Sequence, residues 1–516
     1  MWCKSCEKEM LDKLCPSCNE KTQEDIPVEI FWCESCNVPI IRNANDTNKY
    51  ICTLCNGKTH YLAADLRPVF PEERFLMEII KNKEPFEHEK DFVWAAIGNR
   101  YYVNGSRKNR YFVSAKDMRS PNIDTIIEKL DKNKSNLNYD YFNNYINNFI
   151  RANIDRLNYL KDEAFSFIKQ AREGYCDQQI MVSFSGGKDS TVVSSLVLRA
   201  LGVPQIIHVF GDTTLEFPLT KEYVERFKKN NRQTILRTAK NEDLNFYDVC
   251  EDIGPPSRVM RWCCTMFKTG PITRKINSVF KNYNSILTFY GVRKSESVSR
   301  SKFDRITKNN EHAKIQKQTV ASPIFFWKDI DLWLYMLAEG VDFNDAYRLG
   351  YDRVGCWCCP NNSERSHFLS KIYMPEESKK WRDYLIRFAK SIGKLDAERY
   401  IDDGNWKARQ GGYGVEAAND VKINYTDCTT DENAKIYKLS KEMDDDFYNM
   451  FLPFGIISKE MGRKLIREVL VLHPRTNIPI ISIQPYFASD YEHAVKIQTL
   501  NVDKHADIKR HDDFQR

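Results

Sequence analysis

The residues with the clearest capacity for chemistry are thiols. The 516-residue chain has 16 cysteines, and eight of them fall before residue 56 in Cys-x-x-Cys pairs: Cys3/Cys6, Cys15/Cys18, Cys33/Cys36 and Cys52/Cys55. One such turn aims two thiolates at an ion, and two turns complete a tetrahedral shell. The spacing C-x2-C-x15-C-x2-C from Cys33 to Cys55 is that of a zinc ribbon, while the first two pairs enclose the shorter loop of a knuckle. We read two structural Zn2+ sites, closed shells that hold a fold and do no chemistry. Interleaved ligation, or one occupied and one degenerate site, is the alternative.

A second constellation is Ser185-Gly186-Gly187-Lys188-Asp189-Ser190. Glycines let the main chain approach an anion and aim its N–H groups at it. Lys188 adds a full charge and the serines add hydroxyl donors. This is equipment for gripping phosphates. It needs a strand before the turn and a helix after it, whose first turn contributes a positive dipole end. The apolar run Gln179–Ser183 predicts the strand and Thr191–Leu201 the helix.

Further strands are expected at Gln205–Phe210, Thr234–Thr238 and Ile286–Tyr290, with a helix at Leu219–Asn230. Strands alternating with helices predict an α/β fold with a doubly wound, mainly parallel sheet. Ligands of such sheets sit beyond the carboxyl ends of the strands, where both the Ser185–Ser190 loop and Asp212 fall. Upstream, a short helix at Phe75–Asn82 and strands at Phe92–Ile97, Tyr101–Val103 and Arg110–Val113, separated by Gly98-Asn99 and Asn104-Gly105, predict a small β-rich domain. Arg107, Lys108, Arg110, Lys116 and Arg119 interleave there with Tyr101, Tyr102, Tyr111 and Phe112. That mixture suits phosphate contacts and base stacking, or equally a solvated loop beside a core. Residues 131–150 read as a connector into a helix over Ile150–Glu173. Near the end, Trp406-Lys407-x-Arg409-x-Gly411-Gly412 reads as a basic loop, and Asp444–Phe451, Glu460–Leu470 and Ile478–Ile483 as a small α/β unit.

The Ser185–Ser190 hexapeptide resembles the SGGKDS loop of the adenine nucleotide alpha-hydrolase superfamily, the PP-loop ATP pyrophosphatases. Within it the chain resembles the phosphoadenosine phosphosulfate (PAPS) reductase family. The matches run in order: Asp212-x-x-x-Glu216-Phe217-Pro218; Arg261-Trp262-Cys263-Cys264 with Lys268-Thr269-Gly270-Pro271; Gly291-Val292-Arg293-x-x-Glu296-Ser297-x-x-Arg300; Ser322-Pro323 leading to Trp327, Asp331 and Leu332; and Tyr347-x-x-Gly350 followed by Arg353-x-Gly355-Cys356-Trp357-Cys358-Cys359-Pro360. They cover about residues 176–375.

The resemblance implies an adenine nucleotide, ATP or a sulfonucleotide, held by Ser183, Ser185, Gly186, Gly187, Lys188, Asp189, Ser190, Asp212, Arg293, Glu296 and Arg300. Lys188, Asp189, Asp212 and Arg293 would be the catalytic residues. Arg293 and Arg300 would grip the phosphate or sulfate end, since guanidinium forks match phosphate oxygens. Glu296 would orient an arginine or meet Mg2+. It also implies a [4Fe-4S] cluster on Cys263, Cys264, Cys356 and Cys359, with zinc on the same thiolates as the alternative. Cys358 reads as a buried small apolar residue.

The chain departs from sulfonucleotide reductases in ending at His511-Asp-Asp-Phe-Gln-Arg516 instead of a Glu-Cys-Gly-like tail, and only Cys428 follows Cys359. Sulfate reduction through such a tail is therefore not expected. The division expected is zinc modules over 1–62, a β-rich domain over 63–127, a connector over 128–150, the PAPS-reductase-like domain over 151–395 and a C-terminal α/β extension over 396–516. The expected activity is activation of a substrate by adenylylation for sulfur transfer, on nucleic acid, with a sulfur donor such as a cysteine desulfurase. A sulfonucleotide reductase and a non-catalytic nucleic-acid-binding sensor are the alternatives. The net charge of +6 permits an anionic partner without demanding one. No apolar run approaches the ~20 residues of a membrane span, and the start does not read as a secretory signal. A cytoplasmic protein without a membrane partner is expected.

Overall fold

The computed structural model describes the backbone at 2–3 and 8–9, and then residues 27–500 except 107, 120–121, 259, 297–299, 301–302, 308–316, 395, 409–424, 432, 440, 453, 474–475 and 488–492. The chain forms two compact units, Met1–Asp403 and Gly404–Arg516.

The first unit is built on a six-stranded sheet whose order is Ile235–Lys240, Ile207–Asp212, Ile180–Phe184, Ile286–Phe289, Gln318–Ala321 and Ile306–Thr307. All neighbours are parallel except the last pair. This is the α/β fold read from the sequence. The chain steps outward from Ile180–Phe184 to one side, then returns to place Ile286–Phe289 on its other side, so the strand order reverses between these two strands. A crevice at their carboxyl ends is the expected ligand position. The two central strands are buried on both faces, as a covered parallel sheet requires: Ile180, Met181, Val182, Ile286, Leu287 and Phe289 have no exposure. Helices Lys188–Leu201 and Pro218–Asn230 follow the first two strands.

Ahead of this sheet lies an antiparallel three-stranded sheet in the order Val38–Asn43, Val28–Cys33, His60–Ala63. A four-stranded antiparallel sheet follows, from Arg67–Pro68 through Val93–Ala96 and Arg100–Val103 to Arg110–Phe112. Tyr101 and Tyr102 are buried here, and Tyr101 donates to Glu73 at 2.8 Å. These rings belong to the core and leave Phe112 as the exposed aromatic.

The connector expected over 128–150 is helical instead. Helix Ile123–Asn133 enters it and Asp140–Ala152 occupies its second half. The Asn-rich sequence hides a stripe, Phe142, Ile146 and Phe149, at helical spacing on the buried side. The single helix expected from Ile150 breaks at Asn153 before resuming as Ile154–Ala171. The buried Asn153 amide donates to Pro39 O and Phe149 O at 2.9 and 2.8 Å and accepts from Ile41 N at 2.7 Å. The cysteine-bearing sheet is thereby bonded to the helix junction.

The second unit corrects the expected C-terminal α/β extension. It is mainly an antiparallel sheet in the order Tyr425–Asp427, Ala434–Lys438, Ala494–Thr499, Pro479–Pro485, Val469–Leu472, Ile456–Ser458. Glu460–Leu470 is not a helix: it runs through a short turn into the strand at Val469. The alternation of Val471, Ile481, Ile483, Val495 and Ile497 into one core explains the sheet. Among the described residues no helix is long and apolar enough to cross a membrane.

Candidate functional site

Ser185, Gly186 and Gly187 leave the strand Ile180–Phe184 and enter helix Lys188–Leu201, whose N-cap residue, Gly187, has no side chain to cap it. Gly186 has φ +72°, a left-handed conformation in which any other residue is strained, and a Cβ there would lie 3.0 Å from the Thr220 methyl. Ser190 Oγ donates to Gly187 O at 2.9 Å and accepts from Ser185 N at 3.1 Å. Buried Asn344 donates to Gly186 O at 3.3 Å and to Thr220 Oγ1 at 2.9 Å. The loop's shape is thus fixed by its own side chains and by a neighbouring turn.

Across the crevice, Gly291 follows the strand Ile286–Phe289. A Cβ on Gly291 would meet the Asp189 carbonyl carbon at 2.8 Å and Ser190 N at 2.9 Å, so the two backbones touch. This contact delivers Arg293 to the helix start. Its Nε donates to Asp189 Oδ1, and its Nη2 donates to Asp329 Oδ1 at 3.0 Å. Lys188 Nζ stands 3.3 Å from the same Asp329 oxygen and 3.7 Å from Asp189 Oδ2, and it donates to the Asp352 carbonyl at 3.0 Å. Its backbone N–H donates to the Tyr347 hydroxyl at 2.9 Å, and its ammonium lies 5.2 Å from that ring's centre.

Lys188 and Arg293 are both only 5% exposed. Burial by itself would pull the Lys188 ammonium down; Asp329 and Asp189 overcome it and hold the group above its usual range. Burial would push Asp189 up, but Arg293 and Lys188 hold its carboxyl below the ordinary value. Two cations are therefore kept charged and close together by carboxylates. Buried ion clusters are a weak source of stability, and strongly perturbed groups in a cleft mark functional sites. A polyphosphate can supply the acceptors that the carboxylates supply here.

The remaining expected site residues fall around this pair. Ser183 bonds the half-buried Tyr290 phenol. Glu296 Oε2 accepts from Arg293 N at 3.3 Å and pairs with Arg300. Burial, then the nearby Arg353 charge, hold Arg300 below its usual value. Asp212 stands apart from the Lys188–Arg293 contacts and accepts from Thr214 N at 2.8 Å in its own turn. Ser297 lies outside the described residues, as do Arg107, residues 409–424 and the 501–516 tail. Asp331, part of the motif at 322–332, is a structural residue: fully buried, it takes both Nε and Nη2 of Arg156 at 3.0 Å. Two residues were missed. Asp329 opens helix Asp329–Ala338, and an acid in a helix's first turn was a readable signal. Asp65 accepts from the N–H groups of Asp329 and Ile330 at 3.0 and 3.1 Å, a contact 264 residues distant that no local pattern reveals.

Cys33, Cys36, Cys52 and Cys55 bring their sulfurs within 4.8 Å of one another. Cys33–Cys55 and Cys52–Cys36 are 3.6 and 3.9 Å apart. Tetrahedral Zn–S bonds of ~2.3 Å place sulfurs about 3.8 Å apart, so the set fits one Zn2+. Backbone N–H groups of Cys36, Leu54 and Gly57 donate to three of the sulfurs at 3.4–3.5 Å. The Gly57 amide, then the neighbouring thiols, draw Cys55 down to about 7, favouring the ligating thiolate. Of the first set, Cys6, Cys15 and Cys18 lie outside the described residues, and Cys3 is described only as backbone in the strand Trp2–Cys3.

Cys263, Cys264, Cys356 and Cys359 do not form such a compact group among the described residues. They nevertheless share a neighbourhood. Cys264 begins a π-helical turn, Cys264–Thr269, a distortion that often marks functional positions. Cys263 is pushed up first by its bond to Cys264, then by burial and by Cys264 and Cys356 as like charges. Cys356 is pushed up to about 12 by burial and by Glu216. Thr213 Oγ1 bridges Cys356 Sγ at 3.5 Å and Glu216 at 2.6 Å. Cys358 is 2% exposed. Cys428 belongs to the second unit and bonds Thr430 Oγ1 at 3.2 Å.

Comparison with known proteins gives one family match and several relatives. The family model "Phosphoadenosine phosphosulfate reductase domain" matches residues 179–362. Uncharacterized protein MJ0066 of Methanocaldococcus jannaschii is 34% identical over 269 residues, 52% of this chain and 54% of that protein, so the chain spans about half of that relative's length. Uncharacterized protein MJ0973 of the same organism is 30% identical over 318 residues, 60% of this chain and 69% of that protein. An adenosine 5'-phosphosulfate reductase of Staphylococcus epidermidis is 24% identical over 38% of this chain and 76% of its own length. Among solved structures, the PAPS reductase of Candida auris in its phosphate complex covers 39% of this chain and 95% of its own, at 14% identity and a TM-score of 0.30. With strand, loop, lysine and arginine in place and the family model spanning all of them, the chain belongs to the phosphoadenosine phosphosulfate reductase domain family.

Proposed function

We propose that the protein binds ATP at Ser185–Ser190 and uses it to adenylylate an acceptor for sulfur transfer, with nucleic acid as the acceptor class. The observation carrying this reading is the buried pair Lys188 and Arg293, converging on a glycine-led helix start at the strand-order reversal. An acceptor oxygen forms a bond to the α-phosphorus while the bond to the bridging oxygen breaks and pyrophosphate leaves. A sulfur nucleophile from a donor such as a cysteine desulfurase then forms the new bond at the activated centre, and AMP departs with the oxygen. Lys188, Arg293 and the loop amides stabilise the charge growing on the pyrophosphate; bound Mg2+ would supply further charge stabilisation there. A cleft of about 660 Å³, lined by Phe217, Leu349 and Tyr351 and also by Glu72, Glu222 and Asp345, borders the same 345–351 segment that supports Lys188.

Cys263, Cys264, Cys356 and Cys359 would hold a [4Fe-4S] cluster. Four thiolates are the usual ligand set of such a cluster, and zinc on the same thiolates is the alternative. Such a group supplies electron or sulfur chemistry beside the 212–216 turn. Zn2+ is assigned to Cys33, Cys36, Cys52 and Cys55, and a second Zn2+ to Cys3, Cys6, Cys15 and Cys18.

A second reading, reduction of a sulfonucleotide with its sulfate in the pyrophosphate subsite, is favoured by the match to adenosine 5'-phosphosulfate reductases. One substrate panel with anaerobically prepared protein separates the two. Pyrophosphate released from ATP supports the first, and sulfite released from a sulfonucleotide supports the second. Neither product, with nucleic acid still bound, would leave a binding protein.

A further inference from the structure

The Lys188 ammonium has two fixed acceptors outside its own helix: Oδ1 of Asp329 at 3.3 Å and the carbonyl of Asp352 at 3.0 Å. Each is held from behind by a residue of one tripeptide, Asp65-Leu66-Arg67, which begins two residues after the strand His60–Ala63 of the cysteine-bearing sheet. On one side, Asp65 accepts from Asp329 N and Ile330 N at 3.0 and 3.1 Å, capping the helix that opens with Asp329. On the other, Arg67 Nε donates to Asp352 Oδ1 at 2.8 Å.

Arg67 is rigid in turn. Its two terminal nitrogens grip Glu73 at 2.6 and 2.7 Å, and Glu73, with no exposure, also takes Arg365 at 2.7 Å and Tyr101 at 2.8 Å. Leu66 between them is 1% exposed and anchors the tripeptide in the core. Asp65 also faces the charges of Asp329 and Arg293, so its placement bears on both cations of the site.

We propose that Asp65 and Arg67 are positioning residues of the nucleotide site, through which the segment leading from the cysteine-bearing sheet into the four-stranded sheet fixes the two acceptors that hold Lys188 in place. They touch neither nucleotide nor reacting atoms; they act through Asp329 and Asp352. This segment is then part of the catalytic framework, and the Lys188 geometry depends on 65–67 being seated. The inference rests on the proposed ATP site for its functional readout, though not for its structural one.

The test uses the full chain carrying Asp65→Ala, Asp65→Asn or, as a control, Lys188→Ala. ATP affinity is measured by titration calorimetry, and amide hydrogen exchange is followed at 186–190 and 329–331. Losing a cap of this kind should weaken ATP binding about tenfold in Asp65→Ala and speed exchange in both segments. Asp65→Asn keeps one acceptor oxygen where the carboxylate uses one for Asp329 N and the other for Ile330 N, so its losses should be smaller than those of Asp65→Ala without vanishing. Unchanged ATP affinity and unchanged exchange at 186–190 in a folded Asp65→Ala protein would overturn the inference. If the unsubstituted protein binds no ATP, the proposed function fails, and exchange at 186–190 alone still decides the positioning role.

Discussion

Arg293 and Asp189 are bonded across the crevice, guanidinium Nε to carboxylate, although they belong to different strand–loop segments 104 residues apart. The bond ties the start of the phosphate-loop helix to the loop beyond Ile286–Phe289. It makes Asp189 a partner of a cation rather than a free acid. Loss of either cation leaves the partly buried Asp189 and Asp329 with one cation between them instead of two, which is costly. Arg293→Met should weaken ATP binding at least about tenfold and lower the melting temperature, whereas Lys188→Ala should abolish pyrophosphate release. Turnover persisting in Lys188→Ala would place the chemistry elsewhere.

The contact of Gly291 with the Asp189–Ser190 backbone predicts an unusually severe alanine substitution. The added Cβ would meet main-chain atoms at 2.8 and 2.9 Å, which cannot rotate away as a side chain can. Gly291→Ala should cost about 1–3 kcal/mol of stability by overpacking and displace the loop enough to weaken nucleotide binding. A denaturant melt and a calorimetric titration on the same sample check both. Wild-type affinity in the variant would mean that the two backbones are not held in contact.

His208 carries a pH-dependent share of stability. Fully buried, it bonds Ser194 Oγ at 2.8 Å and the Ile206 carbonyl at 3.0 Å, and burial pulls its pKa down to about 4 from 6.5. The unfolded chain therefore takes up a proton below pH 6.5 while the folded chain refuses it until about 4. Stability from this group is complete above 6.5 and is lost as the pH falls toward 4, by up to about 1.4 kcal/mol per pH unit. In His208→Gln the urea midpoint should start lower and change less across that window.

The two cysteine sets predict separable metal contents. Cys33→Ser should lose zinc and destabilise the fold while leaving any iron in place. Cys356→Ser should lose iron and its visible absorption while leaving zinc in place. Both metals are measured on anaerobically purified protein by elemental analysis. Zinc in place of iron at Cys356 would reassign that set.

Much of the fold and part of the site could be read from the order of residues alone. The strand–SGGKDS–helix sequence and the following strands were legible because buried parallel strands and amphipathic helices impose local apolar patterns, and because a phosphate turn needs glycines next to one another. The ribbon quartet was legible because the ligand spacing is itself a local geometry. The helix Asp140–Ala152 was obscured by its asparagines and tyrosines, although Phe142, Ile146 and Phe149 carried the signal. Glu460–Leu470 has a helix-compatible composition, but pairing of Val469–Leu472 with Pro479–Pro485 overrode it.

What the sequence by itself determined was which groups are present and what each backbone turn can do: glycines at 186 and 187, a lysine at the helix start, cysteines in pairs. What only the tertiary structure decided was which charges meet. Asp65, Asp189, Asp329 and Arg293 converge from four separate stretches of chain, and Asp352 offers Lys188 its carbonyl rather than its carboxylate. Such pairings depend on strand order and helix packing over hundreds of residues, and electrostatic partners carry no periodicity along the chain by which they could be foreseen.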